Sequence, residues 1–310
     1  MRLGSAFGFL AAAALVVPAA RAGEIHHYAS TGKAEQVAAL LRGGVSPDKP
    51  DEAGRTPLYW ASANGHTEVV KVLLEGGADP NLATNKGDTP LTQAALDGST
   101  EIVRMLLDKG ADMEAAGQIR FTALHCAAQE GHLAVVEMLL AKGANPRAKD
   151  ANGSSPLHIA AQNGRLDVVN LFLAKGVDPN IRDSRGEGPI FNAAAAGKID
   201  VVKVLLEKKA VLTSRDAMWG SALNQAALAG ETAVAELLIA HGAPLEMRTL
   251  GGTPLINAIS EGHVDIVRLL LAKGAKVTAG TEGYESPLAA AMKKGNEEII
   301  AMLKAKGAKE

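Results

Sequence analysis

Apolar and polar positions alternate along this chain in a two-part rhythm. Between Glu68 and Glu75, residues Val69, Val70, Leu73 and Leu74 fall on one stripe of a 3.6-residue helix, with charged positions on the other side. Ahead of each such stripe lies a shorter segment that opens on Thr or Ser, usually followed by Pro and Leu. Its inner positions are small, as in Ala94-Ala95, Ala127-Ala128 and Ala160-Ala161. A hydroxyl before a helix accepts from the free N–H groups of the first turn, and Pro fits the first helical position because its missing N–H would be unpaired there. Each opening therefore predicts a short helix whose small residues let a neighbour approach closely. The striped helix that follows carries most of the packing. It is predicted to end on a left-handed glycine, at Gly77, Gly110, Gly143, Gly176, Gly242, Gly274 and Gly307.

The rhythm has a fixed period. Helix openings fall at Thr56, Thr89, Thr122, Ser155, Gly188, Ser221, Thr253 and Ser286, in steps of 33 residues with a single step of 32. A second glycine series follows nine residues after each opening, from Gly65 to Gly295, and counting back reaches Gly32. The chain from Gly23 onward thus divides into nine units. A polar turn such as Asp79-Pro80-Asn81 ends the internal units and leads into an outward hairpin. No unit of this kind buries its apolar stripe alone, so folding is expected to be cooperative between neighbours.

The stretches Gly54-Arg-Thr-Pro-Leu, Thr122-Ala-Leu-His-Cys-Ala-Ala, Glu130-Gly-His, Ser155-Pro-Leu-His-Ile-Ala-Ala and Gly77-Ala-Asp-Pro-Asn81 resemble the ankyrin repeat, in eight in-register copies. The resemblance implies an all-α repeat protein: a solenoid of about nine helix-turn-helix units with β-hairpin loops, presenting a concave recognition face. The expected organisation is a signal peptide over 1–22 and a solenoid over 23–310. Within the solenoid, 23–55 is the N-terminal capping repeat, 56–285 the internal repeats and 286–310 the C-terminal capping repeat.

Departures from the pattern mark places of interest. Lys209 stands where the other striped helices end in glycine, so the turn from Leu206 to Thr213 is expected to be weak or reshaped. The unit from Ser221 to Gly252 is one residue short, and Lys209–Gly252 is read either as a break in the solenoid's curvature or as drift absorbed in a surface loop. Hairpin tips carry glycine two residues before the helix opening at Gly54, Gly87, Gly153, Gly186 and Gly251, whereas Arg120, Trp219 and Tyr284 replace it at three others. With the neighbouring Ile119, Phe121 and Met218 they resemble interface anchors, if they point to solvent. The alternative is that Phe121 and Trp219 fold back onto an adjacent helix. The two residues before each middle glycine are assigned by register to the concave face, including Leu96, Asp97, Gln129, Glu130, Gln162, Asn163 and Leu228.

Composition narrows the function. The chain has 310 residues, 47% hydrophobic and 21% charged, with a formal net charge of -2, which excludes a disordered tail and a polybasic nucleic-acid binder. Met1-Arg2, the apolar run Leu3–Val17, Pro18 and Ala20-Arg21-Ala22 read as an export signal with mature chain from Gly23, and no membrane insertion is expected after cleavage. Removing Arg2 and Arg21 takes the net charge to -4. At the central tips Arg147, Lys149, Arg182, Arg185, Arg215 and Arg248 alternate with Asp150, Asp183, Asp216 and Glu246, which argues against a phosphate-binding stripe.

Catalytic patterns are missing. The one cysteine, Cys126, sits beside His125 at an interior helix position without a cationic neighbour and is expected to be inert. His66, His132 and His263 recur after the middle glycine, and His125 and His158 recur in the first helix; both sets read as parts of the repeat. His26 and His27 diverge by ~100° if helical and do not suit one metal ion. No phosphate loop or nucleophile elbow is present, so no catalysis, cofactor or metal is expected. The reading is an exported, non-enzymatic module, monomeric, that holds a protein partner in its concave groove and on its hairpin tips, in the periplasm of a Gram-negative bacterium. The alternatives are a secreted effector engaging a host protein, and a small-ligand protein or enzyme with a pocket near Trp219 and Tyr284.

Overall fold

The computed structural model describes residues 19–213, 220–278 and 285–309. Most of the expected export segment lies outside these residues, as do Arg215, Asp216, Met218, Trp219 and Tyr284. Two series of helices alternate. The inner series is α1 (Ala19–Ser30), α3 (Pro57–Ala63), α5 (Pro90–Asp97), α7 (Ala123–Glu130), α9 (Pro156–Gln162), α11 (Pro189–Ala195), α13 (Ala222–Ala229), α15 (Pro254–Glu261) and α17 (Pro287–Lys294). The outer series is α2 (Ala34–Arg42), α4 (Thr67–Glu75), α6 (Thr100–Asp108), α8 (Leu133–Ala141), α10 (Leu166–Ala174), α12 (Ile199–Glu207), α14 (Thr232–Ala240), α16 (Val264–Ala272) and α18 (Glu297–Ala305). Each helix packs on the next of its own series and on its partner in the unit, giving two stacked layers with one continuous core between them. The inner alanines Ala94, Ala95, Ala127, Ala128, Ala160 and Ala161 are fully buried, as close stacking requires.

The helix starts work as their residues dictate. The Thr56 hydroxyl accepts from the Tyr59 N–H at 3.1 Å, and Thr89 and Thr92 cap one another reciprocally. At α7 and α9 the third residue is a buried histidine. His158 Nδ1 accepts from the Ser155 N–H at 3.1 Å, which leaves Nε2 to donate to the Glu187 carbonyl at 3.1 Å. His125 does the same between Thr122 and Ser154. In α13 Asn224 replaces the histidine, with Oδ1 accepting from the Ser221 N–H at 3.0 Å and Nδ2 donating to the Met247 carbonyl at 3.1 Å.

In four units the residue after the middle glycine ties neighbouring units together. His66 Nε2 lies 3.0 Å from the Ser30 carbonyl, His132 Nε2 3.0 Å from Leu96 and His263 Nε2 3.0 Å from Leu228; Arg165 Nε donates to Gln129 at 2.8 Å. These carbonyls end the preceding inner helix, so the bonds answer acceptors that a helix end leaves open.

At the outer-helix ends the seven predicted glycines are left-handed, with φ from 78 to 96°. Lys209 is left-handed too, at φ 59°. Its turn is not reshaped: Lys209 N–H donates to Leu206 and Ala210 N–H to Leu205, both at 2.9 Å, repeating the bonds made around Gly176. Inner helices α11, α13 and α15, and outer helices α12, α14 and α16, pack in unbroken succession across the irregular unit. Its missing residue is absorbed in the loop, where an isolated bridge joins Thr249 to Gly252. There the left-handed glycine is Gly252, at φ 113°, and not the expected Gly251.

The hairpins are built from turns, with two isolated bridges, Thr213–Ser221 and Thr249–Gly252, among the described residues. A side chain closes each regular tip from inside. Asp150 Oδ1 accepts from Asn152 and Ser154 N–H groups at 2.8 and 2.7 Å, and Asp183 Oδ1 from Arg185 and Glu187, both at 2.9 Å. Successive tips are joined by backbone bonds, from Asn85 to Ala53, Gln118 to Lys86, Ala151 to Ile119 and Ser184 to Asn152, at 2.9 to 3.1 Å.

Candidate functional site

The tip that replaces glycine with Arg120 keeps the glycine conformation, at φ 57°. Arg120 N–H donates to Gly117 at 2.8 Å, and the Ile119 carbonyl accepts from Ala151 at 3.1 Å, so the strained tip is fixed from both sides. Its three side chains part company. Ile119 is 59% exposed and Arg120 is exposed, but Phe121 is half-buried and stacks on His125, with ring centroids 5.2 Å apart and planes at 24°. Phe121 therefore folds back onto α7 and is a wall rather than a free anchor.

Between these tips and the inner helices runs a trough. Its larger concavity, about 790 Å³, has an apolar end formed by Ile119, Phe121 and Ile159 and a polar end with Gln162, Arg185 and Asn192. A smaller one of about 220 Å³ continues it past Gln162, Arg185 and Asn192 to Glu187 and Gln225. Asn192 and Ile159 hold the same helix position as Cys126. Register assigns that position to the interior, yet in α11 it faces the trough.

The charged groups of the trough are already matched. Glu187 is 1% exposed, its carboxylate 2.9 Å from Arg185 Nη2 and accepting from Gln225 Nε2 at 2.9 Å. Asp183 lies 3.5 Å from Arg185 Nε. Burial pushes the Glu187 carboxyl above its ordinary range, with Arg185 opposing that shift. This cluster follows from the departures of its unit. Phe191, fully packed in the core, stands where α7, α9 and α13 carry His or Asn, and Gly188 offers no capping hydroxyl. The side-chain link to the next unit is made instead by Glu187 and Gln225. Sequence reasoning noted Gly188 and missed Glu187, Arg185, Asn192 and Gln225 as a set; the joint loss of capping hydroxyl and polar third residue in one unit was the available signal.

The other predicted groove residues have varied surroundings. Leu96 is 36% and Leu228 41% exposed, and Asp97 is exposed with its carboxylate accepting from Ser99. They belong to the same row of inner-helix ends but lie outside the trough. Gln129 donates to Glu130 at 2.8 Å, and Glu130 pairs with Arg165 at 3.5 Å. Asn163 turns its amide back onto the Ile159 carbonyl at 2.9 Å. Gln162 lines the trough, together with Ala195 and Ala196 of the same row.

Chemistry elsewhere is subdued. Cys126 is 8% exposed, and burial, helped by Asp88 and Glu130, pushes its thiol up to about 12, so it is held protonated. His26 meets the Lys49 carbonyl at 2.7 Å. Among the described residues no group of three His, Cys, Asp or Glu side chains gathers as a metal site, and no helix is long and apolar enough to cross a membrane.

A family model described as ankyrin repeats in three copies matches residues 25–117, 114–183, 157–249, 190–281 and 223–310. The comparison with curated proteins returns no match.

Proposed function

The chain belongs to the ankyrin-repeat family, whose repeats generally serve as protein-interaction modules, and from that premise we propose that it is a non-enzymatic binding protein acting in the bacterial periplasm. Its recognition surface is the trough of α7, α9, α11 and α13 with the Ile119–Phe121 tip. One observation carries this reading: a braced, strained tip holds Ile119 exposed beside a row of amide side chains, and among the described residues Leu250 alone is a more exposed large apolar side chain. A surface braced in this way binds without ordering itself, so the entropic cost of association falls mainly on the partner. The export segment supports the location.

The test is affinity capture from the envelope fraction, parent beside an Ile119→Asp/Gln162→Ala variant, with retained proteins identified by mass spectrometry. The reading requires a partner that the parent holds and the folded variant loses. A partner held equally by both contradicts the assigned surface, and a chain found only in cytoplasm after fractionation contradicts the location.

A further inference from the structure

The trough also carries information about what lies in it. Its acidic groups are engaged: Asp150 by two backbone N–H groups, Asp183 and Glu187 by Arg185, and Glu187 again by Gln225. An incoming carboxylate at Arg185 would be the third on one guanidinium, after Asp183 and Glu187, and an incoming ammonium meets the half-exposed guanidinium before the two carboxylates, which are buried behind it. Beside the paired Arg185, what remains open to a ligand is neutral. Gln162, Asn152 and Ser184 are exposed, and Asn192 and Gln225 are partly so. Asn192 lines both concavities, and its Oδ1, itself buried, meets no donor of the chain among the described residues.

Amide side chains offer donor and acceptor together, the same pair that an extended backbone presents along its length. The apolar end suits an aliphatic side chain: Ile119 and Ile159 supply branched alkyl surface, and one face of Phe121, the aromatic ring of that end, is covered by His125. Four inner helices spaced by ~9 Å give a run of about 27 Å, which an extended chain at ~3.3 Å per residue crosses in about eight residues.

We propose that the trough binds an extended peptide segment of about eight residues in which one aliphatic side chain, seated against Ile119 and Ile159, is followed by uncharged polar residues lying over Gln162, Asn192 and Gln225. This rests on the trough being the recognition surface and adds the chemistry of the partner. The strained Arg120 is a positioning residue for the aliphatic seat.

The experiment is a selection from a displayed library of random nine-residue peptides on the immobilised full chain, with binding of the selected peptides then measured on synthetic, end-capped copies. Selected sequences are expected to converge on Leu, Ile or Val flanked by Ser, Thr, Asn, Gln or Ala. Placing Asp or Lys next to the aliphatic residue should weaken binding at least tenfold. Ile119→Asp and Asn192→Leu should each abolish it, while Leu82→Asp, on a different loop, should leave it unchanged; thermal midpoints confirm that each variant is folded. Selected peptides rich in charge that still require Ile119 and Asn192 overturn this proposal and leave the groove reading standing. Peptides indifferent to both residues overturn the two together, and so does the absence of any selected binder. Binding of neutral oligosaccharides to the same residues in place of peptides overturns the peptide assignment.

Discussion

Two residues in this protein hold conformations that glycine holds in their sister units, and their settings differ. Lys209 ends an outer helix and touches nothing that needs its side chain, so the left-handed backbone, which costs about 1 kcal/mol, is simple strain. Lys209→Gly should raise stability by up to about 1 kcal/mol in urea unfolding, less the extra backbone entropy of glycine. Arg120 has the same φ but carries the trough wall, so Arg120→Gly should stabilise similarly while weakening partner binding. The buried histidines give a second residue-scale prediction. Burial holds His158 down to about 4, against 6.5 in an unfolded chain, with its bond to Glu187 opposing the shift. Between those values the unfolded chain binds the extra proton, so stability is full above pH 6.5 and falls as pH drops toward 4, by on the order of 3 kcal/mol for this residue. Asn224 already makes the equivalent bonds without a titrating ring, so His158→Asn should fold and show a visibly flatter stability profile between pH 6.5 and 4.

At the scale of the element, glycines of the two series differ in why they are needed. Beyond Gly77, at an outer-helix end, a Cβ would meet nothing within 4 Å, and only the positive φ resists substitution. At Gly98 a Cβ would come within 2.5 Å of the His132 ring, which is bonded to the Leu96 carbonyl. Gly77→Ala should therefore cost about 1 kcal/mol and Gly98→Ala clearly more, because it also disturbs the link between units. The helices themselves were legible in sequence because one 33-residue pattern repeats capping residue, alanine pair, middle glycine and apolar stripe. The lining of the trough was less so. Ile119 and Gln162 were visible as departures or by register, and both line the trough. Phe121 was not readable in the same way: whether an aromatic at a tip faces water or stacks on His125 depends on χ angles that spacing does not determine. The Glu187–Arg185–Gln225 cluster escaped because it joins side chains of two units through burial, and a repeat pattern shows positions rather than their partners.

The whole molecule is a stack in which every unit leans on the next through helix packing, the bonds from residues such as His132, and the tip-to-tip backbone bonds. Stability should then be shared between neighbours. Phe172→Ala, at a fully buried position of α10, should cost about 3–5 kcal/mol. Its loss of amide protection should extend into α8 and α12, where a purely local defect would confine it to α10. The same stacking builds the trough across four units. The central claim is that recognition occurs there. It is tested most directly by hydrogen exchange of the chain with and without the partner retained in capture. The account predicts slowed exchange confined to the 117–121 tip, the 150–154 and 183–187 turns and the ends of α9 and α11, with the outer helices unchanged. Protection on the outer helices α4–α12, with the trough left exchanging as in the free chain, would contradict it.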